Sequence, residues 1–197
     1  MILDTKSMVA SSDFLIARVW AMPNAETFSI RPISELVDRY LSSSSVSVDP
    51  FARNAELATH TNDLNPNTTA QHHMDAFDFL VMLKDNYVKA DLVMFDPPYS
   101  PRQIVECYSG IGLDTGNLSK IKDRIPTQRM AWKQEKQVIA SIQKYGDRVI
   151  CFGWNSNGMG KKRGYKLIEL LLVAHGSGHN DTIVTVWQKA FRQQELL

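Results

Sequence analysis

The sequence predicts an α/β fold: a mostly parallel seven-stranded sheet closing in an antiparallel C-terminal hairpin, with the helices after its first two strands reduced. Three observations predict it. Short apolar runs alternate with segments whose apolar residues recur at helical spacing, the pattern of strands joined by crossover helices. The runs "DLVMF", "RVICFGW" and "YKLIELLLVA" are nearly continuous rather than alternating, as expected of strands covered on both faces. The tail, "YKLIELLLVAHG" then "SGHND" then "TIVTVWQK", reads as two long strands around a turn-forming loop.

The first helix is "RPISELVDRYL": Pro32 sits in its first turn, and Ile33, Leu36, Val37 and Tyr40 share one face. The serine run 42–45 links it to a first strand at 46–49. A second strand is predicted at 58–64 and a third at 72–74, joined by segments of about ten residues or fewer. A parallel crossover with its helix needs about 10–12 residues, so these connections are too short for full helices. The same strands are mixed with polar residues, so this half of the sheet lacks both helices and hydrophobicity. The fourth strand is 91–96; "RQIVECY" and "AWKQEKQVIASIQKY" supply helices before a fifth at 147–154.

At 197 residues and 44% hydrophobic, the chain is expected to form one domain over 1–197. Residues 1–45 supply an N-terminal segment and helix, and 46–197 a core with a basic insert at about 110–136. No apolar run approaches the ~18 uncharged residues of a membrane span. The opening "MILDTKSMVASSDF" lacks the basic and apolar regions of a secretory signal. Cys107 and Cys151 fall in apolar surroundings, as buried thiols of a cytoplasmic protein would. Neither has ligand-like spacing to a histidine, and "HGSGH" (175–179) reads as a glycine-rich loop, so no metal is expected. A net charge of +1 excludes a uniformly basic polyanion binder; nucleic-acid contact would come from local patches.

The chemistry concentrates in "DLVMFDPPYS". Pro97 and Pro98 lack N–H groups and fix φ, so the strand must stop there, leaving the carbonyls of Asp96 and Pro97 facing outward in a stiff frame. This is the edge at which open α/β sheets bind ligands. A carboxylate, a rigid acceptor carbonyl and an aromatic ring suit a planar ring bearing an exocyclic amine. Asp96 and the Pro97 carbonyl can each accept one N–H, turning the nitrogen lone pair toward an electrophile while Tyr99 stacks on the ring. Rate then comes from positioning and electrostatics rather than from a strong base. The plainer alternative is a capped turn on which Tyr99 merely packs.

On Asp96, Pro97, Pro98 and Tyr99 the chain resembles the amino-group methyltransferases that use S-adenosylmethionine (SAM), in particular small phage-type adenine-N6 DNA methyltransferases, whose catalytic tetrad is D-P-P-Y. "VSVDPFARN", with Asp49, Pro50, Phe51 and Arg53, is similar to that family's cofactor motif D-P-F-x-G-x-G. "TNDLNP" resembles the segment whose acid holds the cofactor ribose, here Asp63; "HMDAFDFL" resembles the adenine-contacting segment, through Asp75 and Ala76. Thr27, Phe28 and Ser29 fall in the segment that embraces the methionine end. The resemblance covers roughly residues 20–189 and implies a Rossmann-like methyltransferase fold, SAM as cofactor, DNA as partner, and neither metal nor covalent intermediate. Two departures stand out. Arg53 and Asn54 replace glycines that let backbone approach the cofactor, and the following helix has shrunk to a turn around "NAELA". Arg53 is either a guanidinium fork for the methionine carboxylate or a surface residue beside a weakened site.

An adenine inside a duplex is out of reach of Asp96, so a DNA target must be flipped out or single-stranded. Phosphate contacts are expected from Lys120, Lys122, Arg124, Arg129, Lys133 and Lys136 around Trp132, and from Lys161, Lys162, Arg163 and Lys166. Arg102 and Gln103, just after the tetrad, stand within reach of backbone or base, and Trp154 and Asn155 edge the site. Solvated charge is the alternative for the basic clusters. The sheet face without helices needs a cover, either a second copy in a homodimer or the N-terminal segment with Phe14, Leu15, Ile16, Val19 and Trp20. RNA or a protein amide as acceptor, and a non-catalytic binding module, stay open beside the DNA methyltransferase.

Overall fold

The chain enters its sheet through a hairpin in which β1 (Ser7–Ser11) pairs antiparallel with β2 (Phe14–Trp20). A 3-10 turn (Thr27–Ser29) leads into α1 (Arg31–Leu41), followed by β3 (Ser47–Asp49), β4 (His60–Thr61), α2 (Ala76–Asp85) and β5 (Leu92–Phe95). Then come α3 (Lys133–Ile142), β6 (Arg148–Gly153), a second 3-10 turn (Lys161–Arg163), β7 (Tyr165–Ala174) and β8 (Thr182–Lys189). The computed structural model describes residues 7–11, 14–98, 103, 132–176 and 178–190.

The strands form one sheet in the order β1-β2-β7-β8-β6-β5-β3-β4. Strands β2, β7, β6, β5, β3 and β4 run the same way; β1 and β8 run against them. A single parallel bridge, Asn62 to His72, continues the sheet beyond β4. The seven expected positions are therefore present, with the antiparallel strand where the tail predicted it. The third, expected at 72–74, is reduced to that bridge for a local reason. The Asn62 side chain accepts from the Met74 N–H (3.1 Å) and donates to the Met74 carbonyl (3.0 Å), leaving little for a ladder to bond. The connections 50–59 and 62–71 hold no helix, as their length required.

The N-terminal segment corrects an expectation. Rather than folding over the face without helices, β2 lies beside β7, at the opposite side of the sheet from β3 and β4. Its residues alternate, Ala17 inward and Ile16, Arg18 and Trp20 outward, which is the period of a half-buried strand.

Two cores follow from the alternation within β5. Leu92 and Met94 meet Ile33, Leu36 and Val37 of α1, with Ile150, Val184 and Val186, on one face. Val93 and Phe95 meet Phe79, Leu80 and Leu83 of α2 and Ile139 and Ile142 of α3 on the other. Both sides of the strand are covered, so its sequence is uniformly apolar, and each such buried side chain contributes about 1.5–3 kcal/mol. Asp91 anchors the start of β5: its carboxylate accepts from the Ser45 and Val46 N–H groups, fixing the serine linker. Asp75 caps α2 by accepting from the Phe77 N–H at 2.9 Å. No helix among the described residues is long and apolar enough to cross a membrane.

Candidate active site

Because β3, β4, β5 and β6 run parallel, their C-terminal ends share one edge, and that edge gathers Asp49, Asn62, Asp63, Asp96 and Trp154. Asp96 follows β5 directly and is half-buried; Pro97 is buried and Pro98 half-buried, so the chain turns rigidly where the two prolines forbid a further ladder bond. Tyr99 lies outside the described residues, as do Arg102, Lys120, Lys122, Arg124 and Arg129.

Asp49 is fully buried at 0% exposure. One carboxyl oxygen accepts from the Phe51 N–H at 3.0 Å; Oδ2 has no hydrogen-bond partner. Burial pushes its carboxyl well above the usual carboxylate range; the Phe51 N–H opposes the shift, and Asp96 and Asp63 reinforce it. A buried carboxyl with one oxygen unbonded beside two further acids is costly, and such perturbed groups cluster at functional sites.

The loop leaving β3 is tied down by its own bonds. Phe51 N–H goes to Asp49, Ala52 N–H to the Asn62 carbonyl (2.8 Å), and Arg53 N–H to Asp63 Oδ2 (3.1 Å). Buried Asn62 also donates to the Pro50 carbonyl at 3.1 Å. Arg53 sits at φ 51°, the left-handed conformation a glycine would take without strain. An arginine thus adopts here the backbone conformation that a glycine turn uses. Its guanidinium reaches back to the N-terminal strap: Nη1 donates to the Ala25 carbonyl (2.8 Å) and Nη2 pairs with Glu26 Oε1 (3.2 Å). Pro50 is buried at the strand end, and Phe51 half-buried above it.

The other expected cofactor residues line the same edge. Asp63 is half-buried; its second oxygen accepts from the Asn65 N–H at 2.8 Å. Asp75 and buried Ala76 stand at the start of α2. Thr27–Ser29 form the 3-10 turn after the strap; Phe28 packs edge-on against Phe152 of β6, with ring centroids 5.2 Å apart, and Ser29 Oγ donates to the Glu26 carbonyl.

Of the basic clusters, Lys161 and Lys162 are exposed, while half-buried Arg163 donates to the Met159 carbonyl at 2.9 Å. Lys136 corrects an expectation. It is buried, its ammonium donates to the Asn157 carbonyl (3.2 Å) and lies over the Phe95 ring, and burial lowers its pKa. It braces the loop after β6 from below instead of facing a phosphate. Trp132 joins Phe51 and Phe95 in an edge-to-face trio, with centroids 5.1–6.3 Å apart, walling the site beside Asp96. Glu135, one turn along, has its pKa raised by burial and by Asp75.

A cavity of about 340 Å3 opens on the β6 side of this edge, lined by Asn24, Thr27, Trp154, His175, His179 and Asn180 among others. Its polar lining is of amides, hydroxyls and imidazoles. His175 is fixed, one ring nitrogen at 2.8 Å from the Ala21 carbonyl and the other at 2.8 Å from Thr182 Oγ1. Among the described residues, no group of three His, Cys, Asp or Glu is placed to hold a metal ion. Sequence reasoning missed Glu26, Asn62 and Glu135. Only Asn62 carried a signal, a neutral amide immediately before the expected ribose acid.

No protein-family model and no curated protein matches the chain. Solved structures do. The SAM-dependent methyltransferase from Agrobacterium tumefaciens is 8% identical with a TM-score of 0.50, over 96% of this chain and 72% of that one. TrmN from Thermus thermophilus is 12% identical with a TM-score of 0.49, over 81% of this chain and 49% of its own, so the chain spans about half the length of TrmN. N-methyltransferase NodS from Bradyrhizobium japonicum WM9 is 8% identical with a TM-score of 0.43, over 82% of this chain and 96% of that one. At these identities the likeness is one of fold: the α/β sheet with its antiparallel strand is shared with the Agrobacterium protein.

Proposed function

We propose that the chain is a SAM-dependent methyltransferase acting on the N6 amino group of adenine in DNA. The observation that carries this is the Asp96-Pro97-Pro98 turn at the C-terminal end of a central parallel strand, beside buried Asp49 with its unbonded Oδ2. The fold shared with a SAM-dependent methyltransferase supports the methyl-transfer part of this reading.

The donor set fits the cofactor by its chemistry. Its ammonium, ribose hydroxyls and adenine amine are donors, and Asp49, Asp63, Asp75 and Glu135 are acceptors along one edge. Its carboxylate needs a cation, and Arg53 stands on the loop between them. Asp63 and Asp75 would hold the ribose and adenine, with Thr27–Ser29 closing over the methionine end. SAM supplies an electrophilic methyl on a sulfonium. The remaining work falls to the chain. Asp96 accepts one N–H of the target amine and the Pro97 carbonyl the other, which draws the nitrogen lone pair out of conjugation. As positive charge develops on that nitrogen, the Asp96 carboxylate stabilises it, the methylated nitrogen then gives up one proton to solvent, and the Phe51, Phe95 and Trp132 rings lower the local dielectric. Tyr99 is assigned to stack on the base. The cavity beside Trp154, whose lining among the described residues holds amides, hydroxyls and imidazoles and no lysine or arginine, suits a ring with hydrogen-bonding edges rather than a phosphate. Lys161 and Lys162, with Arg102 and the basic insert, are assigned to the phosphate backbone, and a second copy to the face without helices.

A non-catalytic binding module is the second reading, favoured by the loop after β3, whose N–H groups at 51–53 are already spent and which no helix follows. Transfer of tritiated methyl from SAM to separate DNA, RNA and protein pools tests both. N6-methyladenine in digested DNA is the expected product. Label confined to RNA or protein would change the acceptor, and no label in any pool alongside no SAM binding would leave the module.

A further inference from the structure

Arg53 occupies a glycine conformation, φ 51°, and its side chain spans from the loop after β3 to the N-terminal strap, where it meets the Ala25 carbonyl and Glu26. An arginine held in the left-handed region at a cost of order 1–2 kcal/mol could be replaced by glycine with less strain. The N–H groups of Phe51, Ala52 and Arg53, the groups with which such a loop would grasp an anion, are bonded to Asp49, Asn62 and Asp63. The guanidinium is a cation on this loop, and its fork geometry matches a carboxylate.

We infer that Arg53 binds the carboxylate at the amino-acid end of the cofactor, and that Glu26 occupies the guanidinium as a built-in competitor which the ligand's carboxylate displaces. This rests on the proposed function. The pairing suits an exchange. The Nη1 bond to a fixed carbonyl keeps the arm in place, while the Nη2 pair with Glu26 is half-exposed on both sides, 54% and 49%, and exposed pairs of this kind are weak. A carboxylate arriving on a ligand already held by Asp63 and Asp75 competes at high effective concentration. Glu26 lies immediately before Thr27–Ser29, so the guanidinium nitrogen it occupies stands beside the segment assigned to the methionine end.

Calorimetry with two ligands tests this: SAM, and decarboxylated SAM, which keeps the sulfonium and amine and lacks the carboxylate. Glu26→Gln is expected to tighten SAM by about 2–5-fold, the worth of a weak surface pair. Arg53→Gly, which glycine's freedom at this φ allows to fold, is expected to weaken SAM by about tenfold or more. Neither variant should tighten or weaken decarboxylated SAM by as much as twofold. A thermal melt of each variant confirms the native fold. Equal effects on both ligands, or no effect on either in a chain that binds them, overturn the exchange while leaving the proposed function standing. A parent chain that binds neither ligand overturns both.

Discussion

Asp49→Asn should stabilise the protein at alkaline pH, which few substitutions of a fully buried residue do. The carboxyl is at 0% exposure with Oδ2 unbonded, and Asp96 and Asp63 raise the cost of ionising it. Its folded pKa lies above its unfolded value, so the native state holds the proton more tightly. Stability therefore falls as pH rises from about 4 toward the folded pKa, and stays low above it. The amide is isosteric, keeps an oxygen for the Phe51 N–H, and removes the charge. Relieving one unsatisfied buried ionisable group is worth about 1–3 kcal/mol. At roughly 2–4 °C per kcal/mol for a chain of this size, the melting temperature should rise by about 2–12 °C at pH 8. At pH 3 both side chains are neutral and the difference should vanish. Melts of both proteins from pH 3 to 8, followed by circular dichroism, read the effect directly. A variant destabilised equally at every pH would refute the reasoning, since the carboxylate would then be a satisfied structural group.

The remaining predictions concern the frame around the site. Lys136→Met should remove a pH dependence of the opposite kind: a buried ammonium with lowered pKa gives wild-type stability that rises as pH climbs toward about 10.4, and urea titrations from pH 7 to 10 should show that slope in the wild type and not in the variant. Glu169→Ala strips the partner of both Arg39 (2.6 Å) and the Tyr40 hydroxyl (2.7 Å); a loss of about 1–3 kcal/mol in urea is expected, toward the low end because Arg39 is half-exposed. Gly158→Ala places a methyl against the indole of Trp187, which is held by its bond to Thr185 Oγ1, and should cost about 1–3 kcal/mol by overpacking; an unchanged melting temperature would mean that the loop after β6 yields freely.

The β5 run, the C-terminal hairpin and α1 were legible in the sequence because burial on both faces or along one stripe writes a strong apolar pattern. The N-terminal hairpin was not read as strand. Its alternation of Ala17 against Ile16, Arg18 and Trp20 spans a few residues, and its outward positions carry large apolar side chains that blur the period. Helix α2 was hidden for another reason: "MDAFDFLVML" is apolar nearly all round, so periodicity could not separate it from a strand, though Asp75 before it is a serviceable cap. At the site, the D-P-P turn was legible because proline dictates backbone whatever surrounds it. The role of Lys136 was not, since a lysine in a basic stretch looks solvated until the helix face it occupies is known. Nor could the sequence show that Arg53 keeps a glycine's dihedral angle while its guanidinium crosses to Glu26. That contact joins residues far apart in the chain and is set by tertiary packing alone.

The most direct measurement is single-turnover transfer of a tritiated methyl group from SAM to adenine-containing DNA by the wild type and by Asp96→Ala at matched cofactor occupancy. The wild type should place label on N6 of adenine. The variant should bind SAM with unchanged affinity and lose about 10²–10³-fold or more of the rate, the worth of a group aimed at charge developing in the transition state. Transfer at the wild-type rate by the folded variant would contradict the account.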